Sequence, residues 1–447
     1  MMLSPWIGIF LVAGILMGVM GFLSWIPKKF PNMPAEIPRK LLHVLMGLSV
    51  LSFPWLFNER WPVLVIAAIA LIAFIVIRKI KALKKSLGHS LHGVERKSFG
   101  EIGFVLSVAL VFWFSFGNPI LYVISILVLT FADTVSAFIG IRYGTRNMAS
   151  GIEDKKSFEG SFAFFSMAFI ISLTCLLLFT NVGRTELLLI SLTIGILVAI
   201  IEAISILGSD NLFIPVITFL VLSTNIEMSA KQLGINLIIL FILAIIALYF
   251  NNKTNISSIG LSEGIFAAYC IFTFGSWRWL IVLLLLFIGF AVVPKMNAKE
   301  MLLKRDIRII LANVIVPLVL VLAKAFIKVE GISYAFVIAI GAQLCMNTFA
   351  RFRFYYLYSN RKSFWLGIVE AVCVILVPSA LLFGIANQTL AGIIAGILSM
   401  IIAGVVAVDL EKTLIDKPET YQRDWLQAAA ALVISLISLF TVTMIGG

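Results

Sequence analysis

Charged residues are scarce in this chain of 447 residues. Asp, Glu, Lys and Arg together make up 13% of it, whereas a soluble globular chain contains about 25%. Hydrophobic residues reach 61%, which is more than the core of a soluble protein needs. The two figures exclude soluble, disordered and collagen-like proteins and predict an integral membrane protein.

Cysteine and histidine are also few. The four cysteines stand singly in apolar runs without CxxC spacing, and the chain has only three histidines. Neither a disulfide framework nor a zinc site is therefore predicted. The sequence GxxxxGK[ST] is absent as well, which argues against a nucleotide P-loop. The N-terminal segment lacks a basic region before its apolar run and a small-residue cleavage site, so we interpret it as a spanning helix and not as a cleaved signal.

Long apolar runs are what the chain does have. A hydrocarbon core of about 30 Å needs about 20 apolar residues per helix, and the runs do not alternate with the period of two that a membrane β-barrel requires. The prediction is an all-α, polytopic bundle of about 16 transmembrane helices. These lie near 6–26, 39–57, 61–78, 99–117, 119–141, 162–180, 187–207, 212–225, 232–250, 256–274, 277–294, 307–327, 333–350, 364–384, 388–408 and 425–444.

The positive charge predicts the orientation. The formal net charge is +12, and if the N-terminus is outside, 28 of the 34 Lys and Arg residues lie in or beside cytoplasmic loops. This bias follows the positive-inside rule. We therefore expect the N-terminus to lie outside. The basic residues are expected to face a lipid bilayer and not to bind nucleic acid. The expected location is a bacterial inner membrane or an endomembrane. The oligomeric state is not indicated by the sequence.

Short matches recur about half a chain apart. FADT (131–134) is matched by CMNT (345–348), KKSFEG (155–160) by RKSFWLG (361–367), and GILVAIIEA (195–203) by GILSMIIAG (396–404). The order is preserved and the matching segments are eight helices apart, so we predict a parallel 8+8 duplication with domains 1–225 and 226–447. The acids differ between the copies: Asp133 becomes Asn347, and Glu202 becomes Ala403.

Asp133 is the clearest candidate for chemistry. An acid inside a spanning helix costs about 2.5–3.5 kcal/mol on insertion scales, so it needs a partner or a function. Ala137, Gly140 and Gly144 follow at helical spacing, and such a stripe of small residues lets another backbone or a ligand approach closely. The alternative is a packing stripe whose acid bonds to a neighbouring hydroxyl.

The loop after Asp133 predicts a phosphate site. Lys155, Lys156 and Ser157 stand just before a helix start, where free N–H groups and the helix dipole favour an anion. Positive-inside charge alone is the alternative explanation of these lysines. An acid a few turns away would most naturally hold Mg²⁺ that bridges phosphates.

Further polar residues are expected at the same cytoplasmic end. Some of these residues also have a structural explanation. His43 could have a purely structural role, and Asp210 and Asn211 could simply form a turn that ends a helix. The candidates beyond Asp133 and the lysine loop are Arg39, Lys40, His43, Arg96, Glu101, Arg142, Glu159, Gly160, Glu202, Asp210 and Asn211.

Five motifs, taken together, resemble a known family. They are E..RK..H (36–43), R.SFGE (96–101), ADT..A..G...G (132–144), KKSFEGS (155–161) and E.......DN...P (202–215). Their combination over about residues 35–225 is similar to the phytol kinase and dolichol kinase family of CTP-dependent membrane lipid-alcohol kinases. The order and the loop placement of the motifs agree throughout.

The resemblance implies a function for the first half. The γ-phosphoryl group of a nucleotide, expected to be CTP with Mg²⁺, would be transferred to the hydroxyl of an isoprenoid alcohol such as phytol, dolichol or another polyprenol. Asp133 would be catalytic and, with Asp210, a metal ligand. The nucleotide contacts would be Gly140, Arg142, Gly144, Lys155, Lys156, Ser157, Glu159, Gly160, Asp210 and Asn211, and the substrate or support residues would be Arg39, Lys40, His43, Arg96, Glu101 and Glu202. Whether Asp133 binds metal or accepts the hydroxyl proton stays open.

The second half and the overall function each have alternatives. SSIGLSEGIFAAYCIF (257–272) and KRDIRIILANVIVP (304–317) loosely resemble the phytyl-phosphate kinase family, but Asn347 stands where an acid is expected. We expect a catalytically degenerate copy, with a second kinase step as the alternative. For the whole chain, a transporter or lipid flippase and a cytidylyltransferase that makes a CDP-lipid are the other functions weighed.

Overall fold

The computed structural model describes most of the chain. The described residues are 4–29, 36–79, 100–145, 156–205, 208–250, 258–292, 307–327, 331–354, 356–383, 390–413 and 421–446. The predicted site residues Arg96 and Lys155 lie outside these ranges.

Sixteen long helices and one short turn, Phe53–Leu56, account for nearly all of the described residues, and no strand occurs among them. The predicted all-α polytopic fold is confirmed. The helices are α1 Pro5–Lys29, α2 Glu36–Leu51, α3 Trp61–Lys79, α4 Gly100–Phe114, α5 Pro119–Tyr143, α6 Phe158–Phe179, α7 Arg184–Ile204, α8 Asp210–Asn225, α9 Ala230–Phe250, α10 Ser258–Phe274, α11 Trp277–Val292, α12 Ile307–Ile327, α13 Ile332–Phe354, α14 Asn360–Phe383, α15 Leu390–Thr413 and α16 Tyr421–Gly446.

Eight of these helices are long and apolar enough to cross a membrane by length and composition: α5, α6, α7, α9, α13, α14, α15 and α16. Seven others contain shorter apolar stretches. Two of the long helices, α5 and α14, contain one wide π-helical turn each, at Val128–Ala132 and Val372–Leu376. The chain is an integral membrane protein, and which side its loops face stays a prediction.

The chain divides into two compact units, Met1–Ile238 and Ile239–Gly447. The division lies within α9, about a dozen residues after the boundary that the repeats predict. The roles assigned to residues 1–225 and 226–447 stay predictions.

Helix α5 is the central helix of the first unit. It packs against α2, α4, α6 and α8, and its residues Ile124, Ile126, Val128 and Leu129 are fully buried. The buried Tyr122 hydroxyl donates a hydrogen bond of 2.9 Å to the Val50 carbonyl oxygen of α2. A polar side chain on the buried face of α5 is consequently surrounded by several other helices.

Helix α13 has the corresponding position in the second unit. It packs against α11, α12, α14, α15 and α16. The contacting pairs among α4–α8 all recur among the corresponding helices α12–α16, but α13 also packs against α15, whereas the described parts of α5 and α7 make no comparable contact. The predicted duplication would account for the shared pairs but not for the contact of α13 with α15, and it stays a prediction.

Candidate functional site

The Asp133 carboxylate lies against the first turns of α2. Lys40 Nζ is 2.7 Å from Asp133 Oδ2 and donates a second hydrogen bond of 3.2 Å to the Asp133 carbonyl oxygen. His43 Nε2 lies 3.5 Å from the same carboxylate oxygen and 3.3 Å from the Leu129 carbonyl oxygen. The Lys40 side chain is 5% exposed and that of Asp133 18%. The Asp133 acid, which is costly in a membrane helix, is thus balanced by a buried cation.

The approach of α2 to α5 depends on one glycine. A Cβ atom on Gly47 would lie 2.2 Å from Thr130 Oγ1 and 2.7 Å from Thr130 Cγ2, so no larger residue fits there without movement. Thr130 belongs to the π-helical turn that directly precedes Asp133. In lipid, helices associate through close packing of small residues, and this contact brings Lys40 and His43 to the carboxylate.

A second group of charges surrounds Lys156 at the start of α6. Lys156 Nζ is 2.9 Å from Glu202 Oε1 and 3.7 Å from Asp210 Oδ2. It donates to Ser205 Oγ at 2.8 Å and to the Glu202 carbonyl oxygen. Ser161 Oγ of α6 donates to Glu202 Oε2 at 2.9 Å. The end of α7 and the start of α8 are therefore attached to the start of α6.

Burial alone would lower the pKa of Lys156, but the carboxylates of Glu202 and Asp210 outweigh it and raise the pKa above its usual value. The Asp133 carboxylate contributes in the same direction, so the two groups of charges share one electrostatic environment. Lys156 consequently stays protonated throughout the neutral pH range.

Asp210 and Asn211 extend this group to α4. The Asn211 backbone N–H donates to Asp210 Oδ1 at 3.0 Å, and Asn211 Nδ2 donates to the Gly100 carbonyl oxygen at 3.1 Å. A Cβ atom on Gly103 would lie 3.3 Å from the Leu212 nitrogen, so the first turn of α4 lies directly on the first turn of α8. The ends of four helices meet here.

The predicted stripe of small residues on α5 faces the start of α6. Ser157 precedes α6 and its hydroxyl accepts a hydrogen bond of 3.1 Å from the Gly160 N–H, which caps the helix. Cβ atoms on Gly140 and Gly144 would lie 3.3 Å and 2.8 Å from Ser157 Oγ, and one on Gly160 would lie 3.2 Å from the Ser136 carbonyl oxygen. The start of α6 therefore approaches α5 closely along this stripe.

The other predicted residues lie at the margin of the site. Arg39 and Arg142 are exposed, and the Arg142 guanidinium lies 5.5 Å from the centre of the Tyr143 ring. Glu159 Oε1 accepts a hydrogen bond of 2.6 Å from Thr145, and Glu101 is half-buried in the first turn of α4. Arg39, on the same helix as Lys40, adds positive charge near Asp133.

Sequence reasoning missed three participants. Ser205 bonds to Lys156, Ser161 bonds to Glu202, and Thr130 sets the packing of α2 on α5. Ser161 lies within the motif KKSFEGS and Ser205 three residues after Glu202, so spacing from known acids was a usable signal for both. The role of Thr130 depends on a residue 83 positions away and has no local signal.

The second unit has a neutral pair at the position that corresponds to Asp133. Asn347 Nδ2 on α13 donates to Asn313 Oδ1 on α12 at 2.8 Å. Ala403, which corresponds to Glu202, is fully buried in an apolar cluster. No group of three or more His, Cys, Asp or Glu residues arranged for a metal ion occurs in the described parts of either unit.

Comparison with known proteins finds a similarity to a lipid kinase. Over 218 residues the chain is 31% identical to a phytol kinase of Synechocystis sp., and the matched region covers 48% of this chain and 90% of that relative. No protein-family model matches the chain. No solved structure matches it either.

Proposed function

This chain belongs to the phytol kinase family, and on that basis we propose that it phosphorylates the hydroxyl of an isoprenoid alcohol within a membrane. The observation that carries the proposal beyond family membership is the buried ion pair between Asp133 and Lys40 on the central helix α5. A buried acid in a membrane helix that is paired with a cation and lies near a second group of charges is typical of a site that binds a polar substrate.

The proposed donor is a nucleoside triphosphate, CTP in the first instance, with Mg²⁺. Mg²⁺ is commonly held by one or two carboxylates together with substrate phosphates and water, so Asp133 and Asp210 are suitable ligands and no cluster of three acids is required. When bound, the ion would neutralise negative charge on the transferred phosphoryl group. Since Asp133 Oδ2 is engaged by Lys40, binding of the ion would use the other carboxylate oxygen or displace the lysine.

The proposed reaction breaks the bond between the γ-phosphorus and the bridging oxygen of the β-phosphate, and forms a bond between the γ-phosphorus and the alcohol oxygen. The hydroxyl proton passes to a base in the site, and the nucleoside diphosphate leaves with the bridging oxygen. Such a transfer depends mainly on positioning and on compensation of charge. Lys40 and Arg39 on α2 supply cationic charge near Asp133.

The proposed acceptor is a long prenol because of where the site lies. Its hydrocarbon tail needs an apolar environment, while only its hydroxyl has to reach the charged groups. Helices α5 and α6 present many exposed apolar side chains, among them Phe138, Ile141, Phe162 and Ile170. These faces suit lipid contact next to a polar site.

Transfer of label tests the proposal directly. Purified full-length protein in detergent is incubated with Mg²⁺, CTP or ATP labelled at the γ-phosphate, and phytol, dolichol or shorter prenols. Label in the lipid fraction supports the kinase. Label from the α-phosphate in lipid with release of pyrophosphate would instead indicate a cytidylyltransferase, and no transfer with any pair of substrates would overturn the proposal.

A matched pair of variants assigns the activity to a unit. Asp133→Asn removes one charge while keeping the shape of the side chain, and we expect at least a 100-fold loss of kcat. Asn347→Ala changes the corresponding position of the second unit and should retain activity. Full activity of Asp133→Asn together with loss in Asn347→Ala would reverse the assignment of the two units.

A further inference from the structure

Every hydrogen of the Lys156 ammonium group has an acceptor in the α7–α8 junction. The group donates to Ser205 Oγ at 2.8 Å and to the Glu202 carbonyl oxygen, and lies 2.9 Å from Glu202 Oε1. A lysine ammonium has three N–H donors, so these acceptors account for all of them. The Lys156 side chain is 19% exposed, but a phosphate there would compete with partners that are more deeply buried: Glu202 is 7% exposed and Ser205 8%.

Lys156 contacts residues at the end of α7 and at the start of α8. Helix α7 ends at Ile204, α8 begins at Asp210, and Gly208 between them has a φ of 82°, in the left-handed region. Ser205 Oγ lies 3.2 Å from Asp210 Oδ2. The Asp210 carboxylate is thus held by the Ser205 hydroxyl, the Asn211 N–H and the nearby Lys156 ammonium group.

From Asp210 the connection continues to other helices. The Asp210 carboxylate accepts a hydrogen bond from the backbone N–H of Asn211. The side-chain amide of Asn211 donates to the Gly100 carbonyl oxygen at the start of α4. Lys156, which immediately precedes Ser157 at the start of α6, is thus linked through Asp210 and Asn211 to α4. Removing the ammonium group would leave the Asp210 carboxylate without this compensating charge and would also loosen its position.

The second unit shows what the same local sequence does without the acids. Lys362 corresponds to Lys156 in the repeated KSF sequence, but it is exposed and lies 5.9 Å from the centre of the Tyr358 ring. The position that corresponds to Glu202 is Ala403. The buried arrangement around Lys156 thus depends on the acids of α7 and α8 and is not a property of the KSF sequence.

We propose that Lys156 is a positioning residue and not a nucleotide ligand: it acts through Glu202 and Asp210 to fix the α7–α8 junction against the start of α6. The proposal rests on the nucleotide-dependent kinase function proposed above, and it revises the expectation that the lysine loop binds phosphate through this side chain. Asp210 and Asn211 are the groups that Lys156 makes available to the nucleotide.

A double-mutant cycle separates positioning from direct contact. Lys156→Ala, Glu202→Gln and the double variant are prepared in the full-length protein, and kcat, KM for CTP and Kd for CTP are measured, with Lys362→Ala as the control lysine. If Lys156 acts through Glu202, each single change lowers kcat by roughly 10-fold or more, and the double variant is no worse than the poorer single variant. Lys362→Ala keeps wild-type values.

Direct contact with phosphate predicts a different pattern. Lys156→Ala would then raise the KM and Kd for CTP, Glu202→Gln would have a separate effect, and the two effects would multiply in the double variant. That result overturns the proposal, as does a Lys156→Ala variant with wild-type kinetics. If Lys156→Ala does not fold, Ser205→Ala replaces it, since Ser205 is the hydroxyl that joins Lys156 to Asp210, and the same criterion of non-additivity with Glu202→Gln applies.

Failure of the proposed function gives a distinguishable outcome. If the wild-type protein transfers label but the effects of the Lys156→Ala and Glu202→Gln changes add independently in the double variant, only the positioning role is refuted. A wild-type protein that binds CTP without transferring label refutes the kinase proposal, and the cycle is then decided on Kd. A wild-type protein that neither binds nor uses a nucleotide overturns both proposals.

Discussion

At the scale of single residues, the buried pair of Lys40 and Asp133 explains how α5 tolerates an acid. Ionisable groups in a membrane helix are stabilised when each has a partner, and here the partner comes from α2, 93 positions earlier in the chain. Breaking such a pair is more costly than removing it completely, because one charge is left buried alone.

This asymmetry leads to a stability prediction. Lys40→Met should lower the free energy of unfolding by about 3 kcal/mol because the Asp133 carboxylate loses its cation. The double variant Lys40→Met, Asp133→Asn should recover much of that loss while staying inactive. Thermal unfolding in detergent measures both, and a Lys40→Met variant as stable as the wild type would show that the pair contributes little.

At the scale of helices, the packing of α2 on α5 decides whether the pair can form. Gly47 leaves room for the Thr130 side chain in the π-helical turn, and π-helical turns frequently occur at functional sites. The same logic holds where α6 begins, since Gly160 lies against the Ser136 carbonyl oxygen of α5. Close helix contacts position both groups of charges.

A compensating pair of substitutions tests the α2–α5 contact. Gly47→Ala places a methyl group against Thr130 and should cost about 1–3 kcal/mol of stability, with reduced kinase activity because Lys40 is displaced. Thr130→Ala removes the two nearest atoms, so Gly47→Ala with Thr130→Ala should regain part of the stability. Gly14→Ala is the control, since no atom lies within 4 Å of its Cβ position; equal effects of the two Gly→Ala changes would contradict the contact.

At the scale of the whole molecule, the orientation in the membrane is a prediction from the positions of basic residues. If the N-terminus is outside, Asn118 before α5 faces outward, while Thr145 after α5 faces the cytoplasm. Both residues are exposed. They are therefore suitable positions for labelling from one side of the membrane.

The orientation can be measured by cysteine labelling. In a Cys373→Ser background, which removes the exposed native cysteine, Asn118→Cys should react with an impermeant maleimide in intact cells. Thr145→Cys should react only after the membrane is opened. The reverse pattern would place the N-terminus inside and move the site to the outer face.

The division into two units leads to a second prediction at this scale. The matched relative is about as long as one unit, since 218 residues make up 90% of it, so the first unit should contain a complete site. A fragment of residues 1–250, which ends after α9, should retain kinase activity towards prenols in the labelling assay. An inactive fragment that regains activity when residues 251–447 are co-expressed would show that the second unit is required.

Much of the architecture follows from local sequence. Hydrophobic runs and the scarcity of charge predict sixteen helices in a membrane, because helix formation in lipid depends on consecutive apolar residues. Asp133 and Glu202 can be singled out for the same reason, as charges are costly there. Lys156 can be singled out because it stands just before a helix start. The π-helical turn in α5 and the left-handed conformation of Gly208 before α8 have no comparable local pattern.

Partners, in contrast, are decided by the tertiary structure. Lys40 meets Asp133 and Asn211 meets Gly100 across about a hundred residues, and no spacing rule connects positions so far apart. The sequence leaves open whether the small residues of α5 receive a ligand or a helix, and the packing shows the start of α6 there. The local sequence determines which charged and polar groups need a partner. Only the folded chain determines which groups become those partners, because they come from distant parts of the sequence.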